Sequence, residues 1–225
     1  MEQQPKWSGL DNAAKIFPPT SNQGETWVFR VACQLKNPVD PVVLQWALNK
    51  TLRQFPFYRS VLRKGLFWYY FEECDRKALV REEVGPPCGV LYDPSGDNLL
   101  FQVTYYRRRI NLEVYHALTD GTGAVQFLRT LVFYYITRRH KEELGEDLVL
   151  SDYDASLEDK AQDGFAKYYN KAKPAPLPRQ GWAYQLGGEC FPNYHMGVIE
   201  GRTPAGPVLS AAKAHGATVT QYLTA

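Results

Sequence analysis

The most chemically informative stretch of the sequence is INLEVYHALTDGTG, at residues 110–123. Alternation along a strand sends successive side chains to opposite faces. His116 therefore shares one face with Ile110, Leu112 and Val114, at the end of the predicted strand. Histidine titrates near neutral pH, so a histidine there can act as a general base toward an attacking hydroxyl or amine.

Two interpretations of His116 stay open on the residues alone. A single histidine on an apolar face is more often a core residue whose ring is satisfied by a backbone hydrogen bond. Asp120 has a structural interpretation too, because it can cap a following helix by accepting from the backbone N–H of Gly123. Gly121 and Gly123 both permit close backbone approach.

The elements that must position His116 are a strand pair and a long helix. Strands are predicted at 99–106 and 110–117, followed directly by a helix over about 121–139 whose apolar residues recur at helical spacing. Upstream, a strand is predicted at 27–35, and Asp40 and Pro41 provide the N-cap and first position of a helix that ends near residue 54.

The rest of the chain is predicted as a series of shorter elements. They are a hairpin of 57–62 and 66–72, short strands at 79–84, 184–186 and 196–199, a polar stretch at 142–163, an extended connector with Pro174, Pro176 and Pro178, an amphipathic segment at 207–215, and a helix capped by Thr220. That last helix has no ending signal, so we expect the chain to stop inside an element.

Composition excludes several classes of protein. The net charge of +2, from 26 Lys and Arg against 24 Asp and Glu, argues against a nucleic-acid binder. We expect a solvated hairpin turn at Arg107, Arg108 and Arg109, although a contact with a phosphate group there stays open. The N-terminus has no signal peptide and no apolar run is long enough for a membrane helix, so the prediction is a cytoplasmic protein.

Metal, disulfide and nucleotide chemistry have no sequence support. We expect free thiols at the four cysteines, and His140, His195 and His215 have surface or capping positions without zinc-site spacing. Neither a GxSxG elbow nor a GxGxxG or P-loop motif occurs.

The spacing His116-x-x-x-Asp120-Gly121 resembles the HHxxxDG signature of chloramphenicol acetyltransferase, the condensation domains of nonribosomal peptide synthetases and plant acyl-CoA acyltransferases. The string HALTDGTGAVQFL resembles the bacterial alcohol acetyltransferase-like branch of that superfamily, as do LDNA near the start, the helix ending in FPF and the GLFW hairpin. The family pattern often has a first histidine where this chain has Tyr115.

The resemblance implies an α/β fold of the layered α+β kind, a mixed, largely antiparallel sheet with helices. Residues 1–200 would form the N-terminal half of a two-half fold, and residues 201–225 would begin the C-terminal half. His116 would be the catalytic base. Asp120 would be an orienting residue, through an arginine that the sequence does not identify, with Arg30 of the first strand as one candidate. Gly121 would shape the motif backbone.

The implied activity is CoA-dependent O- or N-acyl transfer to a small alcohol or amine. Acyl-CoA, most simply acetyl-CoA, would be the co-substrate, with no metal, tightly bound cofactor, nucleic acid or membrane partner. The missing half or a second chain would close the site. The alternative is a condensation-type or non-catalytic assembly domain acting on carrier-protein-bound substrates. A trimeric acetyltransferase is disfavoured, because its motif lies near the C-terminus and this one is central.

Overall fold

The structure is a computed structural model that describes residues 7–144 and 199–224, together with residues 182, 187–189, 191–192 and 197. The chain divides into two compact units, Met1–Tyr194 and His195–Ala225. The predicted strands at 184–186 and 196–199, most of the polar stretch at 142–163 and the proline connector lie outside the continuously described residues.

The described residues of the first unit form two sheets. A four-stranded sheet has the order β2-β7-β6-β5 and consists of β2 (Val28–Gln34), β5 (Arg81–Glu82), β6 (Phe101–Tyr106) and β7 (Arg109–Tyr115). Its pairs are antiparallel except for the parallel pair of β5 with β6. A three-stranded antiparallel sheet has the order β1-β4-β3 and consists of β1 (Trp7–Gly9), β3 (Ser60–Lys64) and β4 (Tyr69–Glu73).

Helices cover the four-stranded sheet. The first unit contains α1 (Phe17–Thr20), α2 (Pro41–Gln54), α3 (Gly121–Arg139) and α4 (Lys141–Leu144). α2 packs on α3, and α3 packs on β2 and β7. Their apolar faces bury Leu44, Leu48, Phe127 and Leu131 completely, which encloses the core between the helices and the sheet.

The caps of α2 follow the sequence prediction. The Asp40 carboxylate accepts from the backbone N–H groups of Val42 and Val43 at 2.9 and 3.2 Å, and Pro41 takes the first helical position. The helix ends at Gln54, ahead of Pro56, which cannot continue it.

The predicted strand at 79–84 is much shorter in the structure. The side-chain amide of Gln45 binds this segment by accepting from the Val80 N–H at 2.8 Å and donating to the Ala78 carbonyl at 3.0 Å. These backbone groups are therefore diverted from strand pairing, and only Arg81–Glu82 joins β6.

The described residues of the second unit form two helices, α5 (Ala205–Ala214) and α6 (Val219–Thr224). The prediction of Thr220 as the cap of the last helix is wrong, because α6 already begins at Val219. Thr218 accepts from the Gln221 N–H at 3.2 Å, and the Gln221 side chain accepts from the Thr218 N–H at 2.9 Å. This reciprocal pair is a capping box, which places the cap two residues earlier.

Within the described residues, no helix has both the length and the apolar character required to cross a membrane.

Candidate functional site

The candidate site lies at the corner between β7 and α3. The strand ends at Tyr115, one residue before His116, and α3 begins at Gly121 as predicted. The Leu118 N–H donates to the Tyr115 carbonyl at 2.9 Å, which turns the chain immediately after the strand. The corner therefore places His116 directly after β7 and Asp120 at the start of α3.

His116 is half-buried among aromatic side chains. Its ring stacks on Phe17 with a centroid distance of 4.6 Å and an interplanar angle of 18°. Phe29 lies at 5.0 Å, tilted by 53°, and the His116 backbone N–H donates to the Trp27 carbonyl at 2.8 Å. The backbone and one ring face of His116 are thus fixed by β2 and by α1.

The ring nitrogens of His116 have no hydrogen-bond partner among the residues that the structure describes. The interpretation as a core histidine satisfied by a backbone hydrogen bond needs such a partner, and the described backbone does not provide one. A partly exposed imidazole with unengaged nitrogens is able to accept a proton from an incoming nucleophile.

Asp120 is the N-cap of α3. Its Oδ1 accepts from the Gly123 N–H at 2.8 Å, and its carbonyl accepts from the Ala124 N–H at 3.0 Å. The carboxylate is exposed, and it forms no ion pair with the described part of the chain. The predicted capping contact with the Gly123 N–H is present, whereas the role of Asp120 as an orienting residue of the site stays a prediction.

Arg30 does not pair with Asp120, so Arg30 is wrong as the candidate arginine partner of Asp120. Its guanidinium binds Glu113 from Nη2 at 2.6 Å and Glu83 from Nη1 at 2.5 Å. The physical reason lies in the sheet register, which places Arg30 directly opposite Glu113 across β2 and β7. Arg30 is therefore committed to the sheet face opposite to that of His116.

Glu113 and Glu83 organise a buried polar cluster on that opposite sheet face. Glu113 also accepts from the Cys88 N–H at 2.7 Å and from Gln102 Nε2 at 2.6 Å. Burial raises the pKa of Glu83, but hydrogen bonds from Arg109 and Arg30 outweigh it, so its pKa lies below the usual value. Sequence reasoning missed this cluster, although Asn111 and Glu113 alternate with apolar residues along β7, which marks a polar face.

The two motif glycines have different environments. A Cβ on Gly123 would overlap Thr119 Oγ1, whereas a Cβ on Gly121 would meet nothing within 4 Å. A side chain at position 123 would therefore force the Thr119 side chain to move, whereas position 121 has room for a methyl group.

A cavity of about 220 Å³ lies away from this corner, between residues 76–81 and β6. Its walls include Arg76, Arg81, Leu91, Phe101 and Val103, and neither His116 nor Asp120 lines it. In the described ranges no group of three or more His, Cys, Asp or Glu side chains is arranged to hold a metal ion.

No family model matches the chain, and no curated protein matches it. Solved structures do match. The first condensation domain of the calcium-dependent antibiotic synthetase, in complex with a substrate analogue, aligns with a TM-score of 0.51 at 17% identity, over 66% of this chain and 42% of that chain. The starter condensation domain of the rhizomide synthetase RzmA aligns with a TM-score of 0.50 at 10% identity, over 60% and 40%.

A third neighbour is the X-domain in complex with OxyB from teicoplanin biosynthesis, with a TM-score of 0.52 at 16% identity, over 72% of this chain and 38% of that chain. The chain spans about two fifths of the length of these structures. Because the identities are low, the likeness shows the fold alone. The chain therefore has the mixed α/β fold of these condensation domains, in the part that matches their N-terminal half.

Proposed function

We propose that this chain forms the histidine-bearing half of an acyl-transfer site in which His116 is the general base. The observation that supports this most directly is the unengaged imidazole of His116 at the corner between β7 and α3 of a condensation-domain fold. Asp120 would serve by capping α3 and fixing the corner, and Gly123 by allowing Thr119 to approach the helix.

In the proposed reaction a ring nitrogen of His116 takes the proton from an attacking amine or hydroxyl. The nucleophile's lone pair forms a bond to the thioester carbonyl carbon, and the carbon–sulfur bond then breaks. The leaving thiolate recovers the proton from His116, so the base is regenerated. The products are an amide or ester and a free thiol. General-base assistance of this kind is typically worth about 10²–10⁴-fold in rate.

We infer that the thioester is carried by a carrier protein. Two points support this inference: condensation domains of two synthetases are among the structural neighbours, and the resemblance of the motif at His116, Asp120 and Gly121 to condensation domains implies carrier-protein-bound substrates. Free acetyl-CoA is the second candidate donor, because HALTDGTGAVQFL resembles the alcohol acetyltransferase-like branch. The two donors share the thioester chemistry and differ in what presents the thioester to His116.

The test uses the complete protein in which this chain forms one half. Acyl-loaded carrier protein and acetyl-CoA are supplied separately with a small amine or alcohol, and release of the free thiol is followed. We expect turnover with the carrier-bound donor and a fall in kcat of about 10²–10⁴-fold in His116→Ala.

His140→Ala is the matched control, because His140 is also half-buried but lies at the C-terminal end of α3. Near-wild-type turnover in His116→Ala would contradict the role of His116. Turnover with acetyl-CoA alone would show that the acyl donor is acetyl-CoA and not a carrier-bound thioester. Binding of the loaded carrier without turnover in the wild type would identify an assembly domain.

A further inference from the structure

Tyr115 lies next to His116 in the chain but on the opposite face of the sheet. Its side chain is fully buried, and its ring stacks on Tyr92 with centroids 5.1 Å apart. Its hydroxyl lies 2.7 Å from the hydroxyl of Ser21. A buried hydroxyl is costly unless it is hydrogen-bonded, so the Tyr115 hydroxyl needs this hydrogen bond with Ser21.

The direction of the hydrogen bonds follows from a proton count. Ser21 has one hydroxyl proton, which it donates to the Phe17 carbonyl at 2.8 Å. Ser21 must therefore accept from Tyr115, which donates its own proton. Burial raises the pKa of Tyr115, so the hydroxyl stays protonated and remains a donor at neutral pH.

The same series of contacts leads from Ser21 to the imidazole of His116. Phe17, whose carbonyl Ser21 binds, is the residue whose ring stacks on His116 at 4.6 Å. Phe17 and Ser21 are the first residue and the C-cap of α1, a helix of only four residues. So short a helix has little stability of its own and depends on tertiary contacts for its place.

We propose that Tyr115 is a positioning residue for His116, acting through Ser21 and Phe17. The hydroxyl of Tyr115 holds the C-terminal end of α1, α1 holds the Phe17 ring, and that ring orients the imidazole. The catalytic consequence rests on the proposed function, whereas the structural coupling does not.

The packing of Tyr115 alone does not explain its hydroxyl. The stack on Tyr92 needs only the ring, and phenylalanine would provide it without a buried polar group to satisfy. The hydroxyl thus contributes the link to Ser21, which no apolar side chain at this position can make.

The coupling is tested by NMR on the 225-residue chain with labelled histidine. The four histidines give few resonances, and His116→Gln assigns the one of interest. Stacking on Phe17 should displace the His116 ring-proton resonances upfield. We expect this displacement to be lost in Tyr115→Phe and in Ser21→Ala. It should be retained in Ser21→Thr, because threonine keeps the hydroxyl.

Tyr92→Phe is the matched control, because it removes a hydroxyl from the other ring of the same stack but leaves the link to Ser21 intact. His215 is an internal reference, since its ring stacks on Tyr222 with centroids 5.6 Å apart. Its resonances should not change in any variant, which separates a local effect from unfolding.

An unchanged His116 displacement in Tyr115→Phe would overturn the proposal. So would an equal loss in Tyr92→Phe. In the complete protein, Tyr115→Phe should lower kcat by on the order of 10-fold to 10²-fold at unchanged KM, the range expected for a misplaced catalytic group. If the wild type shows no acyl transfer, the proposed function fails while the NMR result still decides the coupling.

Discussion

Arg30 and Glu113 face each other across β2 and β7, with a nitrogen–oxygen distance of 2.6 Å and a Glu113 side chain that is only 1% exposed. Removing one partner of a buried pair typically costs about 3–5 kcal/mol. Without Glu113, Arg30 would keep only Glu83, and the Cys88 N–H and the Gln102 amide would lose their acceptor. We therefore expect Glu113→Ala to lower the free energy of unfolding by about 3–5 kcal/mol. Urea denaturation followed by circular dichroism measures this.

The control for Glu113 is Glu72, which pairs with Arg63 at 2.6 Å in the other sheet but is 27% exposed. A partly exposed pair is worth at most about 1 kcal/mol, so Glu72→Ala should have a small effect. A similar loss of unfolding free energy in the two variants would show that the buried pair stabilises the fold no more than the partly exposed pair does.

Glu83 should contribute to the loss of stability of the fold in acid. Burial raises its pKa, but the bonds from Arg109 and Arg30 lower it further, to below the ordinary 4.5. A carboxylate with a lowered folded-state pKa stabilises the fold above the unfolded-state pKa, and this is lost as pH falls through the folded-state pKa. Stability should therefore fall below about pH 4.3.

Glu83→Gln tests this assignment, because glutamine does not titrate. Its free energy of unfolding should be lower than that of the wild type at pH 7, and the two proteins should converge as pH falls through the lowered folded-state pKa of Glu83. Denaturant titrations at several pH values provide the comparison. A wild-type pH slope that persists unchanged in Glu83→Gln would assign the acid sensitivity to other carboxylates.

Asp120→Ala should cost about 0.5–2 kcal/mol, the usual cost of losing an N-cap. Because the described residues pair no cation with Asp120, we do not expect the larger cost of an unpaired buried charge. Asp120→Asn keeps a good cap and loses only the interaction of the charge with the helix dipole, about 0.3–1 kcal/mol.

Asp40 provides the comparison, since it caps α2 in the same way. Thermal unfolding of Asp40→Ala beside Asp120→Ala should give losses of similar size. In the complete protein, Asp120→Ala should retain measurable turnover. A variant that melts like the wild type but has no activity would make Asp120 a catalytic residue.

Gly123→Ala and Gly121→Ala should change the free energy of unfolding in opposite directions. The added methyl at position 123 meets Thr119 Oγ1, and overpacking of this kind costs about 1–3 kcal/mol. At position 121 the methyl meets nothing within 4 Å, and alanine there should stabilise by about 0.4–1 kcal/mol through the unfolded state.

Thermal denaturation measures both glycine variants. The double variant Thr119→Ala with Gly123→Ala should regain most of the lost stability, because the overlapping oxygen is gone. If the double variant is as unstable as Gly123→Ala, another contact is responsible.

Much of the fold could be predicted because its signals are local. Asp40 with Pro41 and Asp120 with the following glycines mark two helix starts, and both helices begin where these residues predict. Strand alternation from Ile110 onward predicts β7 within two residues of its end. The two caps are hydrogen bonds between an aspartate side chain and backbone N–H groups two or three positions ahead, and the strand signal is the alternation of neighbouring side chains. A sequence pattern contains both directly.

What only the tertiary structure decided depends on residues far apart in the chain. Sequence alone determined that His116 ends an apolar strand face ahead of a helix, but not that Phe17 stacks on it from 99 residues away. Nor could it assign Arg30 to Glu113, because that pairing follows from the register of β2 against β7. Register depends on packing between both faces of the sheet and their neighbours, so it is settled only when the chain folds.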